Sequence, residues 1–428
     1  MNPIKIFKEN NERILSIIRY FAASLIPLIL NLATNPLVAS NMSAEDYAIV
    51  GYFKSYNTLI LPLVLFYVLH YYTKRFYELD DKRRIELKAY IFKFLIYASA
   101  IIALISIGGI YVYTFFLNSN SQIPLFPYVW IAILALPLTG LYSLTLVDYK
   151  MARMSKSYLW ISVMYSIVTV GLLLLFVVVF KMGAFGNLIS ILITNAIFFG
   201  ICCYMNRELF KVKVRMASYK PIVLFCLPLT LAAALGFFSN GYDRVYLERL
   251  GQVEELGYYV VAFSICNYLH YFSDAVGNTF QPDIFQSLAN RNLIRYIKFS
   301  GIILAANALV VLIFIPLSTP IVDILTAGKY VYSSHYMKIL AVSSFASAIY
   351  YVVSQFTVAM GLTSITLYNK IFTSVASVII YKVAIDNYGF DGAAWGVSLS
   401  FLVSAIGNIL FMAIYKNKLK QIWQNPQE

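Results

Sequence analysis

The sequence predicts an all-α, polytopic membrane protein of about twelve transmembrane helices, and three observations carry that expectation. Hydrophobic residues make up 60% of the 428 and charged residues only 12%, whereas a soluble domain is typically about a quarter charged. Apolar runs long enough to cross a bilayer, about 20 residues each, recur from end to end and leave no room for a sizeable soluble domain. Most of the 33 Lys and Arg residues cluster in alternate connections between those runs.

Taken in order, the runs of the first half lie at about 14–39, 47–72, 90–117, 128–147, 158–180 and 188–205. Those of the second half lie at about 221–240, 257–277, 299–325, 336–361, 364–385 and 395–415. The first run follows Lys5, Lys8 and Arg13 and lacks a small-residue cleavage signature. It is expected to be a retained span with a basic, interfacial leader, not a removed signal peptide. Lys74, Arg75, Lys82, Arg83, Arg84 and Lys88 separate the second run from the third, and Lys150, Arg153 and Lys156 the fourth from the fifth. Arg207, Lys211, Lys213, Arg215 and Lys220 fill the centre of the chain. Arg291, Arg295, Lys298, Lys370, Lys416, Lys418 and Lys420 complete the series, while Lys181, Arg244, Arg249 and Lys329 fall in the opposite set of loops. By the positive-inside rule both termini are expected in the cytoplasm. The net charge of +13 then needs no nucleic-acid partner.

The two halves also resemble each other. SLIPLILNL around Pro27 matches FCLPLTLAA around Pro228, EDYAIVGYF (Glu45–Phe53) matches ELGYYVVAF (Glu255–Phe263), and GAFGNLISI after Met182 matches GFDGAAWGVSLS after Tyr388. The shared order and the offset of about half the chain point to a parallel repeat. It predicts an N-terminal six-helix bundle at 1–205, a basic cytoplasmic linker at 206–220 and a C-terminal six-helix bundle at 221–428. Parallel repeats place a substrate site between two bundles. Cys202, Cys203, Cys226 and Cys266 all lie in apolar runs without C-x-x-C spacing, which suggests buried thiols, not a disulfide framework or metal site. The sequence contains no G-x-x-x-x-G-K-[ST], H-E-x-x-H, G-x-S-x-G or Asp-x-Asp motif, so no ATP site or catalytic signature of those kinds is expected.

Ionisable groups within a span cost about 2.5–3.5 kcal/mol near the bilayer centre on insertion scales, which makes each a functional candidate unless it can snorkel. Lys54 stands well inside the second run, with Asn57 and Thr58 at i+3 and i+4; a wet cavity is expected there, an outer-end snorkelling lysine being the alternative. Arg19 lies early in the first run, and snorkelling and cavity lining both stand open for it. The polar face of that run, Ser24, Asn31, Thr34 and Asn35, is turned away from Arg19. Two stripes at helical spacing follow: Ser343, Ser347, Tyr350, Ser354 and Thr357 in the tenth run, and Lys370, Thr373, Ser374, Ser377 and Tyr381 in the eleventh. Cavity lining and small-residue helix packing compete for both. Lys382 is one position off the second stripe. The eighth run carries Ser264, Asn267, Tyr271, Asp274 and Asn278 on one face with His270 close by, a carboxylate and imidazole able to carry a proton or bind a cation; a helix-end cap is the alternative for Asp274. Asp243 and Arg244 follow Ser239 and Asn240, as an ion pair at a cavity mouth.

GYDRVYLERLGQVEELGYYVVAFSI (Gly241–Ile265), with its Asp-Arg and Leu-Gly-x-Tyr pattern, resembles the polysaccharide-transporter branch of the multidrug/oligosaccharidyl-lipid/polysaccharide exporter superfamily. NPLVASNMSAEDYAIVGYF (Asn35–Phe53) is similar to the matching element of the first half. Length, twelve spans and short loops extend the resemblance over nearly the whole chain, and O-antigen and capsular repeat-unit flippases are nearest in style. The resemblance implies a MATE-like fold of two bundles, with alternating access around a cationic cavity. It implies an undecaprenyl-pyrophosphate-linked oligosaccharide as substrate, moved from the cytoplasmic to the periplasmic leaflet of a bacterial inner membrane. Related flippases place basic residues in or near the first, second and eighth spans, which matches Arg19, Lys54 and Arg244; Asn57 and Lys382 join them here as candidate substrate contacts. His270 and Asp274 are the candidates for ion coupling. Lysine at position 54 lacks the bidentate fork that arginine offers phosphate.

Two rival readings predict different residues. A drug or organic-cation antiporter of the same superfamily predicts acids dominating the cavity, whereas lysines outnumber buried carboxylates here. A membrane-embedded polysaccharide polymerase or glycosyltransferase predicts a large extramembrane loop or paired catalytic groups. No enzyme activity and no cofactor are expected; the partners expected are lipid-linked oligosaccharide, membrane lipids, and a polymerase or glycosyltransferases.

Overall fold

The computed structural model describes residues 3–118, 121–214, 219–360 and 362–417. Arg215, Lys418 and Lys420 of the basic series lie outside the described residues. Among the described residues the chain is helical with no strand. Ten helices are long and apolar enough to cross a membrane. The last of these covers Ile365–Ile414, long enough to cross twice. The helix Val253–Ala289 matches them in length, but its Tyr, Asn, His and Ser residues keep it out of that set. Counting that helix once and the last run twice gives the twelve crossings expected from sequence.

Fourteen α-helical segments follow in order among the described residues. Helix α1 (Pro3–Asn41) contains Pro27 and Pro36. At 1.5 Å per residue it is about 58 Å long, nearly twice the hydrocarbon thickness, and its apolar part begins only at Ile18. Helix α2 (Ala44–Leu65) has Glu45 and Asp46 in its first turn, where carboxylates meet the positive end of the helix dipole. The single run expected at 47–72 is in fact broken. Phe66 and Tyr67 both take positive φ (47° and 49°), a conformation costly for bulky L-residues, and the chain resumes as α3 (Val68–Arg75).

Next come α4 (Asp81–Leu117), α5 (Tyr128–Met151) and α6 (Ser155–Leu173), the last continued by a π-helical turn at Leu174–Val179. Helices α7 (Gly183–Met205), α8 (Tyr219–Leu235), α9 (Phe237–Asn240) and α10 (Tyr242–Leu247) lead to α11 (Val253–Ala289), α12 (Leu293–Thr326), α13 (Ser334–Ala359) and α14 (Thr363–Ile414). Helix α14 is two helices joined at Gly389, whose φ of 56° and ψ of −130° interrupt it. Only glycine adopts that backbone freely. Three residues on, a β-carbon at Gly392 would lie 1.9 Å from the Ala384 carbonyl oxygen, so the corner also needs a residue without one.

The chain forms two compact units. One comprises 1–43, 60–119 and 124–231; the other comprises 44–59, 120–123 and 232–428. In the first, α1 packs on α6 and α5 packs on both α4 and α7. Val68, Tyr72, Phe92, Leu95, Leu141, Leu144 and Cys202 form its core. Asn195 locks three helices there: its amide donates to the Ala135 carbonyl (3.0 Å) and its oxygen accepts from the Tyr165 hydroxyl (2.7 Å). In the second unit α13 packs on α11, α12 and α14, and Ile284, Leu288, Ile303 and Val352 close a core. The first two-thirds of α2 belong to this second unit. Phe115, Phe116 and Ile294 are 75%, 73% and 84% exposed, the apolar outer surface expected of helices in lipid. All four cysteines are free thiols.

Candidate functional site

Lys54 lies near the middle of the 22-residue α2, about 15 Å along it at 1.5 Å per residue, half the thickness of a hydrocarbon core. Its side chain is exposed, and it makes no hydrogen bond or ion pair among the described residues. Thr58, one turn on, is exposed as well, and Asn57 is half-buried with its side-chain oxygen buried and unpartnered among the described residues. An ammonium at that depth can keep its charge only against water or an anion. The residues that back this helix are tight. A β-carbon at Gly257 of α11 would come 1.9 Å from the Ala44 carbonyl oxygen. Tyr52 and Phe53 are fully buried beside Lys54, so the lysine is held on a rigid surface.

In the same unit α11 presents a second exposed polar face. Ser264, Tyr271, Asp274 and Asn278 are exposed along it, and Asn267 is half-buried. Asp274 has no hydrogen-bond or ionic partner among the described residues. His270 is placed differently: its ring nitrogens lie 3.2 Å from Ser343 Oγ and 3.4 Å from Ser347 Oγ of α13, with the Phe401 ring 5.9 Å away. The structure therefore commits His270 to α13, and among the described residues no hydrogen bond or ion pair joins it to Asp274.

Arg244 is 5% exposed and Asp243 fully buried. Arg244 Nε donates to Ser55 Oγ (2.7 Å), its Nη2 donates to the Asn240 carbonyl and lies 3.7 Å from Asp243 Oδ1. The Phe263 ring covers the guanidinium at 3.8 Å. Tyr259 donates to Asp243 Oδ2 at 2.7 Å. With its Nε, its Nη2 and one face of the guanidinium engaged within the unit, this arginine is in this conformation a fastening, tying α10 to α2 and α11. Arg19, in the other unit, is half-buried, with Nη1 3.5 Å from Ser155 Oγ at the start of α6. Lys382 is exposed, without a hydrogen bond or ion pair among the described residues.

The serine stripes pack. Thr373, Ser374, Ser377 and Tyr381 are all 5% exposed or less. Ser374 donates to the Leu235 carbonyl (3.0 Å), Ser377 meets Ser239 (3.3 Å) and Tyr381 donates to the Ser239 carbonyl (2.8 Å). Ser343 and Thr357 are equally enclosed. Sequence reasoning missed Glu248, which is 2% exposed and accepts from Ser121 Oγ (2.7 Å) and the Gln122 amide (2.9 Å). That pairing spans more than a hundred residues, and no local signal announces it.

The architecture has solved counterparts. The lipid II flippase MurJ, in an inward closed conformation, superposes with a TM-score of 0.72 over 95% of this chain and 91% of its own, at 14% identity. This chain has the MurJ and MATE fold. A transporter of the MOP superfamily from Pyrococcus furiosus gives a TM-score of 0.62 at 14% identity, over 94% of this chain and 95% of its own. An outward-facing multidrug resistance MATE transporter gives 0.60 at 14% identity, over 94% and 95%. No protein-family model matches the sequence and no curated protein matches it, so at these identities the likeness speaks for the fold alone.

Proposed function

We propose that this chain is a flippase that moves an undecaprenyl-pyrophosphate-linked oligosaccharide from the cytoplasmic to the periplasmic leaflet by alternating access. The observation that carries the reading is Lys54, an exposed mid-span ammonium without an acidic partner among the described residues. Pyrophosphate carries two or three negative charges that hydrocarbon does not solvate, and a fixed cation in a water-filled cavity offsets that cost. Thr58 and Asn57 supply uncharged hydrogen-bonding groups next to it. The MurJ fold supports the reading because its own named substrate is a lipid. An inside-negative potential assists outward movement of negative charge by about 2.3 kcal/mol per charge per 100 mV, and exchange with protons or sodium is the other available drive. The protein then sits in the inner membrane with both termini cytoplasmic, beside a polymerase and glycosyltransferases, and its halves at 1–205 and 221–428 form a parallel repeat.

Asp274 favours a second reading, an organic-cation antiporter, because it is an exposed carboxylate on the polar face of α11. One experiment separates the two. Deletion of the gene is expected to accumulate cytoplasm-facing lipid-linked repeat units and abolish the surface polymer, with both restored by the gene. Repeat units that still reach the outer leaflet, together with new sensitivity to cationic dyes, would establish the antiporter instead.

A further inference from the structure

The first unit contains a half-open cavity of about 320 Å³ between α1, α5 and α6, at the small end of the range for small-molecule sites, about 300–1,000 Å³. Pro27 and Asn31 of α1, Tyr142 of α5, and Tyr158, Tyr165 and Thr169 of α6 contribute to its wall. Among the described residues no Asp, Glu, Lys, Arg or His lines it. Its shape begins with Pro27, which has no N–H to return to the Ala23 carbonyl, so the helix opens at that turn; Ala23 lines the cavity beside it. Asn31 is exposed, with its amide donating to the Pro27 carbonyl (2.9 Å), which leaves its oxygen as an acceptor. Tyr142 and Tyr165 stack face to face with centroids 4.2 Å apart, and the Tyr165 hydroxyl is fixed on Asn195 (2.7 Å), so the aromatic wall is rigid.

We infer that this cavity binds an uncharged sugar ring of the substrate's glycan. An ion would enter at a large desolvation cost with no opposite charge to meet it. An acyl or prenyl chain would strip water from the Asn31 oxygen and the Tyr158 hydroxyl without replacing it. A neutral polyol satisfies both constraints: its C–H faces pack on tyrosine rings, while its hydroxyls meet the Asn31 oxygen and the Tyr158 hydroxyl, the Tyr165 hydroxyl being held by Asn195. The inference rests on the proposed flippase function and adds to it a glycan-binding site built within the first unit alone.

Two probes test it on the purified full chain in nanodiscs: the oligosaccharide released by mild acid from the host's lipid-linked pool, and undecaprenyl pyrophosphate without sugar. Asn31→Leu and Thr169→Leu fill the cavity and remove its polar groups at positions that are not fully buried. Both are expected to weaken glycan binding about tenfold, the effect of one lost hydrogen bond, and to leave binding of the sugar-free lipid unchanged. Lys54→Gln is expected to do the reverse. Glycan binding that is absent from wild type, or equal in wild type and both cavity variants, would overturn the cavity assignment. Sugar-free lipid binding that ignores Lys54→Gln would instead count against the flippase reading, whatever the glycan does.

Discussion

Arg244→Gln leaves Asp243 as a fully buried carboxylate held by Tyr259 alone. Breaking a buried ion pair by removing one partner costs about 3–5 kcal/mol, since the remaining charge has nothing to offset its desolvation. Two features set the value here. The 3.7 Å separation and the Tyr259 hydrogen bond argue for the lower end, while the lost Ser55 contact at 2.7 Å and the Phe263 ring argue for the upper, so about 4 kcal/mol is expected. Unfolding in mixed detergent–SDS micelles, followed by tryptophan fluorescence, reads this loss. The Asp243→Asn/Arg244→Gln double variant removes both charges and is expected to recover about 1–2 kcal/mol of it. A single variant within about 1 kcal/mol of wild type would refute the reasoning. So would a double variant whose loss equals the sum of the two singles, because independent sites add.

Three further outcomes follow from other parts of the structure. Gly257→Ala puts a methyl against the Ala44 carbonyl, which has no rotamer by which to yield, and should cost about 3 kcal/mol in the same titration. Gly200→Ala, where a β-carbon meets nothing within 4 Å, serves as its control, and equal stability of the two would contradict the close approach. Glu248→Ala releases the Gln122 amide, so hydrogen exchange over residues 121–123 should quicken about tenfold; unchanged exchange would show that the carboxylate does not hold this segment. In membranes, Lys54→Cys should react with a water-soluble maleimide while Ser377→Cys, fully buried, should not. An unreactive Lys54→Cys that labels only after denaturation would remove the wet surface on which the site rests.

The spans were legible because hydrocarbon imposes a length and an apolarity that no other solvent does, and the segregated Lys and Arg clusters marked their ends. The break at Phe66–Tyr67 was not, because neither glycine nor asparagine announces a positive φ there. The stripes on α13 and α14 were ambiguous for a definite reason. A serine hydroxyl such as Ser374 can satisfy itself on the carbonyl four residues back (2.7 Å to Lys370) whichever surface it faces, so its spacing carries no information about water. Lys54 stood out in the sequence because a lone ammonium in an apolar run has no such internal partner, and the structure leaves its side chain exposed. Arg244 was readable as an intramembrane cation, but its commitment to Ser55 depends on residues 44–59 packing within the second unit, a long-range pairing that local sequence does not encode. The tyrosines, serines and Thr169 of α6 did carry a usable signal. Tyr158, Ser162, Tyr165, Ser166 and Thr169 recur at helical spacing, as the later stripes do.

The most direct test of the account is the initial rate at which the purified chain, in liposomes, flips lipid-linked oligosaccharide extracted from its host. Lys54→Gln is expected to lower that rate about tenfold or more, the effect of one charge-assisted hydrogen bond lost, while Lys54→Arg, which keeps the charge, retains most of it. A Lys54→Gln protein that flips at the wild-type rate would contradict the claim that this lysine carries the pyrophosphate.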